Sequence, residues 1–137
     1  MSKPISKVIH ASGKRKRAIA RATLAPADTH SVSVNGILLT HYGNIMTRAR
    51  ILEPVQLAGT AASRYAISVT VTGGGSTSQA DAARLAIGRA FGLSDEKLRQ
   101  VMLDYDRQLV VADVRRKESA KPNSHGQARS KTQKSYR

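Results

Sequence analysis

Basic side chains cluster near the start of this chain, in a pattern whose chemistry would be the binding of phosphate. The stretch GKRKRAIAR, from Gly13 to Arg21, contains five lysines and arginines within nine residues. A strand that begins at about Arg17 would place Arg17 and Arg21 on the face opposite Ala18 and Ala20. Arginine binds phosphate through two hydrogen bonds and is weakly hydrated, so this row favours RNA or DNA over an acidic protein. A merely solvated face is the alternative.

The end of the chain carries a second candidate for phosphate binding. The stretch KTQKSYR contains Lys134, Tyr136 and Arg137 and offers little that a core could bury. A tyrosine ring between two cations can stack on an exposed base while the cations hold phosphates, although chance placement is the alternative. Residues 114–137 would span on the order of 80 Å if fully extended, at roughly 3.3 Å per residue.

Three consecutive glycines, Gly73, Gly74 and Gly75, precede a predicted helix and form a natural anion site. The stretch lacks the Gly-Lys-Ser/Thr of a P-loop, and no acidic residue follows at the spacing of a dinucleotide-binding fold. Two interpretations stay open. One is a nest of backbone N–H groups that holds one phosphate, and the other is a tight turn that needs glycine for its dihedral angles.

The residues that usually perform catalysis or bind metals are scattered. The chain has no cysteine, and no i, i+4 pair occurs among His10, His30, His41 and His125, which argues against a zinc site. Asp104 and Asp106 could act as acid and base or hold magnesium, but a solvated loop explains them more simply. The sequence therefore predicts no enzyme, no metal site and no cofactor.

The charge distribution favours a polyanion as partner. The chain has 137 residues and a net charge of +14, and its length fits one domain. Residues 1–27 carry seven basic groups and no acidic one, residues 28–113 carry eight of each, and residues 114–137 carry eight basic groups against Glu118 alone. Like-charge blocks at chain ends are typical of interaction tails, although charge that merely aids solubility is the alternative.

No stretch approaches the roughly 18 apolar residues of a membrane span, and MSKPISKVIH lacks the apolar run of a signal peptide. The absence of cysteine is compatible with a reducing compartment. The sequence predicts a soluble, cytoplasmic protein with no membrane partner and no small-molecule substrate.

The elements that would position the basic residues begin with strands. Arg17–Pro26 and SVSVNG predict a hairpin, and Pro54 separates a helix that ends near Ile51 from a shorter one. YAISVTVT is the clearest strand, because apolar and polar residues alternate along it.

Two helices and a last strand complete the pattern. Ser78 and Asp81 resemble a capping box that opens a helix ending at Gly92, and Ser94 is the predicted cap of the next helix. QLVVADV, residues 108–114, predicts a closing strand, and the segment after it lacks the apolar residues of a core. The body is therefore predicted to be an α+β domain.

Four stretches, in order, resemble the universal small-subunit ribosomal protein S-nine family: SGKRKRAIARA, VSVNG, YAISVTVTGGGSTSQADAARLAIGRAF, and LVVADVRRKE with the closing QKSYR. The resemblance runs from about Ser12 to Arg137, and its central block is the most specific part. QKSYR is similar to the archaeal and eukaryotic branch. The segment SAKPNSHGQARS departs from the family's pattern, which often has a further Lys-Lys and Gly-Gly there, so the path of the tail between Ser119 and Ser130 is left open.

The resemblance implies a fold of the type called ribosomal protein S-five domain-two-like. This α+β fold has an antiparallel or mixed sheet with helices on one face, a left-handed βαβ crossover and an extended basic C-terminal tail. The chain would divide into an N-terminal extension (residues 1–13), an RNA-binding body (14–114) and the tail (115–137). The resemblance also implies a structural constituent of the small ribosomal subunit that binds ribosomal RNA in the head and contacts P-site tRNA through the end of its tail.

The residues that match the family's pattern, together with the basic pattern, form two sets of predicted contacts. The predicted tRNA contacts are Lys134, Ser135, Tyr136 and Arg137. The predicted ribosomal RNA contacts are Lys14, Arg15, Lys16, Arg17, Arg21, Gly73, Gly74, Gly75, Arg115, Arg116, Lys117, Lys121, Arg129 and Lys131. Neighbouring proteins of the small-subunit head are further expected partners.

Two other functions compete with this interpretation. A general DNA architectural protein would use the same basic ends and would bind any duplex with similar affinity. An RNA-processing enzyme would need an acidic or metal-binding cluster, which the sequence does not offer.

Overall fold

A five-stranded sheet with the strand order β1-β2-β5-β3-β4 forms the centre of the molecule, as seen in a computed structural model that describes residues 7–131 and 133–136. The strands are β1 (Ile9–Arg15), β2 (Ala18–Pro26), β3 (Ser31–Val34), β4 (Ile37–Leu38) and β5 (Tyr65–Thr72). The helices are α1 (Ile45–Ala58), α2 (Ser76–Ser94) and α3 (Glu96–Tyr105). Short 3₁₀ helices cover Leu39–His41, Gly59–Arg64 and Arg107–Leu109.

The sheet buries one face because its central strands alternate apolar and polar side chains. The buried residues of β2 and β5 are Ala18, Ala20, Ala22, Leu24, Tyr65, Ile67, Val69 and Val71. The helix α2 packs on this face, and its Phe91 ring meets the Tyr65 ring edge to face at a centroid distance of 6.3 Å. The small side chains of β2 let the helix approach the sheet closely, which concentrates the core between β2, β5 and α2.

The pairing of the strands confirms the predicted α+β class with a mixed sheet. β1 and β2 are antiparallel, and so are β2 and β5. β3 runs parallel to β5 and is connected to it through β4 and α1, so this connection is a βαβ crossover. The extended tail stays a prediction, although the structure has no helix or strand among residues 110–131 and 133–136.

The predicted hairpin between the second and third strands is wrong. β2 pairs with β1 and β5, whereas β3 turns through Asn35 and Gly36 to pair with β4. Sequence patterns missed β1 because polar residues and Gly13 interrupt its apolar alternation, as befits an edge strand. β1 begins at Ile9, inside the segment predicted as the N-terminal extension.

The predicted helix boundaries are also corrected. Pro54 lies inside α1, where it is buried with its neighbours Ile51 and Val55, and this packing outweighs the lost backbone hydrogen bond. α2 begins at Ser76 with Gly75 as its N-cap, not at a capping box of Ser78, and it continues past Gly92. A Cβ atom built on Gly92 would lie 3.3 Å from the Arg99 side chain, so this glycine serves helix packing and does not end the helix.

The cap of α3 is Asp95, not Ser94. The Asp95 carboxylate accepts a hydrogen bond from the backbone N–H of Lys97 at 2.9 Å, and this residue also places negative charge at the positive end of the helix dipole.

The predicted closing strand over residues 108–114 is wrong as well. The 3₁₀ helix Arg107–Leu109 occupies its start, and the chain after it is irregular. Leu109 is fully buried, and its carbonyl oxygen would lie 2.3 Å from a Cβ atom built on Gly88 of α2. Leu109 therefore packs on a glycine gap in the helix, whereas Val111 and Val114 are exposed, and the segment does not join the sheet.

Candidate nucleic-acid interface

The first basic stretch forms the turn of the β1–β2 hairpin. Arg15 pairs with Ala18, so Lys16 and Arg17 make up a two-residue turn, and both are exposed. Lys16 has a φ of 54°, a left-handed conformation that residues other than glycine rarely adopt. The turn thus carries two cations to one end of the sheet. Arg21 lies farther along β2, on the exposed face.

The triple-glycine segment lies directly beside this turn. A Cβ atom built on Gly73 would lie 2.7 Å from the carbonyl oxygen of Arg17, and one on Gly74 would lie 3.0 Å from the Cβ of Ala18. Both glycines also have a positive φ, 74° and 67°, so the tight-turn interpretation holds for them. Gly75 has open space around it and precedes the first turn of α2.

The base of the tail, residues 112–120, completes a surface groove that we call the basic groove. The structure brings together here three segments that the sequence analysis singled out separately. The groove is lined by Lys16, Arg17, Gly74, Gly75, Ser78, Arg115, Arg116, Lys117, Glu118, Ser119 and Ala120. Five of these side chains are cationic and one is anionic, so the groove is a surface suited to an anion.

The cations of the groove differ in whether a carboxylate of the protein pairs with them. Within the part of the chain that the structure describes, no carboxylate lies within ion-pair distance of Lys16, Arg17, Arg116 or Lys117. Arg115 instead donates to Asp113, with Nη2 at 2.8 Å from Oδ2. Four cations of the groove are therefore available to an external phosphate.

Beside the groove, acidic residues of the body meet arginines in a set that we call the ion-pair cluster. Its members are Arg15, Arg50, Glu53, Asp81, Arg84, Asp106 and Asp113. Arg84 lies at 2.5 Å from Glu53 and 2.9 Å from Asp106, and thereby joins α1, α2 and the segment after α3. Sequence reasoning missed this cluster because its members come from distant segments with no shared motif.

The arginines of the ion-pair cluster and Arg115 favour the charged forms of Glu53 and Asp113. The hydrogen bond from Arg84 is the main cause that lowers the pKa of Glu53, and partial burial opposes it. Hydrogen bonds from the Arg115 side chain and then from its backbone N–H lower the pKa of Asp113 well below its usual range. A lowered pKa keeps these two carboxylates in the charged form, which makes them poor proton donors near neutral pH.

The predicted alternative in which Asp104 and Asp106 act as a pair has no geometric support. Asp104 accepts a hydrogen bond from Gln100 at 2.8 Å, while Asp106 binds Arg84 and the backbone N–H of Gln108. Among residues 7–131 and 133–136, no group of three or more metal-ligating side chains comes together. Within the same ranges, no helix is long and apolar enough to cross a membrane.

Other predicted contacts lie outside the groove. Arg15 belongs to the ion-pair cluster, and Lys14 lies at its edge. Lys121 and Arg129 both bind Glu118 at 2.9 Å. These contacts close a loop whose turn is fixed by the hydrogen bond from Lys121 N–H to the carbonyl oxygen of Gln127, at 3.3 Å. Because of this loop, residues 118–129 are not fully extended in this structure.

The remaining predicted contacts lie near the end of the chain. Lys131, Lys134, Ser135 and Tyr136 are exposed, and the Tyr136 side chain is 88% accessible to solvent. Arg137, for which a contact with tRNA is predicted, lies outside the described residues.

Together, the mixed sheet and the basic groove define a small basic α+β protein with a surface typical of phosphate-backbone binders. A profile of the family described as ribosomal protein S9/S16 matches residues 13–137. A protein named small ribosomal subunit protein uS9 from Thermoplasma volcanium is 44% identical over 128 residues, which cover 92% of this chain and 96% of the relative.

Proteins of the same name from other archaea give similar values. The relative from Methanococcus maripaludis is 42% identical over 134 residues, and the one from Methanothrix thermoacetophila is 41% identical over 133 residues. In both cases the match covers 96% of this chain and 99% of the relative. The chain belongs to the uS9 family of small-subunit ribosomal proteins. Membership of this family also confirms the prediction that the chain is not an enzyme.

Proposed function

We propose that this protein, in cytoplasmic ribosomes, binds the ribosomal RNA of the small-subunit head through the basic groove and contacts P-site tRNA through the tip, residues 134–137. One observation carries the first part: Lys16, Arg17, Arg116 and Lys117 face one groove although about 100 residues separate the two pairs in the chain. The chain belongs to a family of small-subunit ribosomal proteins, so the RNA of that subunit is the proposed partner. Neighbouring head proteins are further partners.

The mechanism is neutralisation of closely spaced phosphates. Each phosphate that a lysine or arginine neutralises releases condensed counterions from the RNA, and this release drives binding. The body preorganises the binding surface, because the sheet and α2 hold the hairpin turn and the glycine segment in position before RNA binds. If about ten cations of the groove, hairpin and tail contact phosphate, affinity should fall by about seven to nine decades per decade of salt concentration. A slope of one or two would contradict this mechanism.

The tip has a separate role in this proposal. Tyr136 is 88% exposed, and Lys134 lies two residues before it in the chain. A free aromatic ring next to a cation suits stacking on a nucleotide with simultaneous contact to its phosphate. The tip would therefore steady the tRNA, whereas the groove would anchor the protein to the subunit.

The experiment that tests the proposal is co-sedimentation of small subunits with the full chain and with a chain lacking residues 134–137, followed by measurement of P-site tRNA retention. We expect both chains to sediment with the subunit and only the full chain to support normal retention. A matched control replaces Gln127 and Ser130 by alanine, because this variant alters two exposed tail residues without shortening the tail or removing a cation.

Each outcome separates the two parts of the proposal. Loss of sedimentation for both chains would contradict ribosomal RNA binding, and equal affinity for an arbitrary DNA duplex would favour a general architectural role. Normal tRNA retention by the shortened chain would contradict the role of the tip alone.

A further inference from the structure

We infer that Asp113 is a positioning residue, which holds the base of the tail so that Arg116 and Lys117 face the same groove as Lys16 and Arg17. The inference rests on the proposed RNA binding of the basic groove. It assigns a role in nucleic-acid binding to a residue that itself repels phosphate.

Asp113 joins the tail to the hairpin through a single carboxylate. It accepts hydrogen bonds from the Arg115 side chain, with Nη2 at 2.8 Å, and from the Arg115 backbone N–H at 2.9 Å. The same carboxylate binds the guanidinium of Arg15, the last residue of β1, which also lies 3.7 Å from Asp81 of α2. The side chains of Asp113 and Arg15 are 10% and 22% exposed, so the contact between them is largely shielded from solvent, whereas the Arg115 side chain is 75% exposed.

Backbone contacts do not hold the base of the tail. Val111 donates to Arg107 at 3.0 Å, and the next backbone hydrogen bond is that of Lys121 with Gln127. Between them, residues 112–120 make no backbone–backbone hydrogen bond with any described residue. Val114 is 88% exposed and supplies no apolar anchor. The Asp113 carboxylate is therefore the main contact that fixes where the tail leaves the body.

If charge alone mattered, removing Asp113 would strengthen RNA binding, whereas the positioning role predicts weaker binding. A carboxylate near a phosphate-binding groove repels the ligand, so its removal should strengthen binding. Glu118 provides the comparison, because it also lies at the groove but, among the residues that the structure describes, forms ion pairs only with Lys121 and Arg129, both in the tail. Removing either carboxylate frees two cations, but only the removal of Asp113 also frees the tail from the hairpin. The two carboxylates should thus affect RNA binding in opposite directions.

The test compares Asp113→Ala with Glu118→Ala, since each variant removes one negative charge. Affinity for a transcript of the small-subunit head RNA is measured from 50 to 400 mM salt, together with the rate of tryptic cleavage after Arg115, Arg116 and Lys117. We expect Glu118→Ala to bind at least twofold more tightly than the unmodified chain. Asp113→Ala should bind roughly tenfold more weakly, and its salt slope should fall by about 1.5, as for two lost phosphate contacts. Its cleavage should be at least fivefold faster.

Asp113→Asn and Asp113→Glu keep the test informative if the alanine variant unfolds. The asparagine variant has the same shape without the charge and should show a weaker form of the same defect, and the glutamate variant should restore most of the salt slope. Equal or tighter binding by Asp113→Ala and Asp113→Asn, at normal thermal stability, would overturn the positioning role. If the unmodified chain itself binds the transcript without salt dependence, the proposed function fails instead.

Discussion

The β1–β2 hairpin and the base of the tail, residues 112–120, line the same groove but are held by different interactions. The hairpin is paired along its whole length, from Ile9 with Leu24 to Arg15 with Ala18, and it packs against α2. The base of the tail depends on hydrogen bonds and ion pairs with Asp113. Backbone ladders on a packed core are insensitive to salt, whereas ion pairs near the surface are screened. One side of the groove is therefore built into the fold, and the other responds to solution conditions.

The largest effect should come from breaking the packing beneath the hairpin. A Cβ atom on Gly13 would lie 2.3 Å from the carbonyl oxygen of Ala82 and 2.7 Å from the backbone nitrogen of Ala86. Gly13→Ala must push β1 away from α2, because backbone atoms cannot rotate out of the way. We expect the free energy of unfolding, measured by urea denaturation, to fall by about 3 kcal/mol.

Gly75→Ala is the control for this prediction. Gly75 has no atom within 4 Å of an added Cβ, so this variant should lose no more than about 1 kcal/mol, the cost of a poorer N-cap. Equal destabilisation by the two substitutions would show that the contact between β1 and α2 does not set the position of the hairpin.

The next effect concerns the ion-pair cluster that supports the base of the tail. Arg84→Met should lower the free energy of unfolding by about 2 kcal/mol, less than for a fully buried pair, because Glu53 and Asp106 are partly exposed. Both carboxylates would lose their common partner. Thermal or urea denaturation at neutral pH measures this loss, and Arg107→Met provides a control on an exposed arginine nearby.

The pH dependence of the Arg84→Met effect follows from the lowered pKa of Glu53. A carboxyl group whose pKa is lower in the folded state stabilises the fold above its ordinary pKa of 4.5 and loses this contribution as the pH falls. The difference in unfolding free energy between the two proteins should thus be full at pH 6 and should narrow toward pH 3. A difference that stays constant over this range would show that Arg84 acts through packing and not through charge.

The two sides of the groove can be weakened separately. Lys16→Ala with Arg17→Ala removes the hairpin cations, and Arg116→Ala with Lys117→Ala removes those of the tail. Each pair should lower the slope of log affinity against log salt by about 1.5 and weaken binding to head RNA by roughly tenfold. Arg50→Ala is the control, since Arg50 binds Asp81 at 2.6 Å. If only one pair matters, the groove does not act as a single site.

The difference between the two sides also explains what sequence patterns could predict. The alternation along Tyr65–Thr72 predicted β5, because this signal comes from local periodicity. The separate basic stretches were predicted as phosphate contacts, but their meeting at one groove depends on how β1 and β2 pair. β1 was missed because polar residues and Gly13 interrupt its apolar alternation. The strand at residues 108–114 was wrong because the gap at Gly88 that accepts Leu109 exists only in the tertiary structure.

The smallest effect should come from the turn that presents the hairpin cations. Lys16 has a φ of 54°, which is costly for a lysine and not for glycine. Lys16→Gly should therefore raise the free energy of unfolding by about 0.5 kcal/mol, while it removes one phosphate contact and lowers the salt slope by about 0.8. Asn35 is the matched control, because its φ is 52° but its side chain binds the backbone of Val71 at 2.8 and 3.2 Å. Asn35→Gly should cost about 1 kcal/mol. If Lys16→Gly is less stable than the unmodified chain, the lysine side chain stabilises the turn. If the variant is more stable but binds RNA more weakly, the lysine contributes to RNA binding and lowers the stability of the fold.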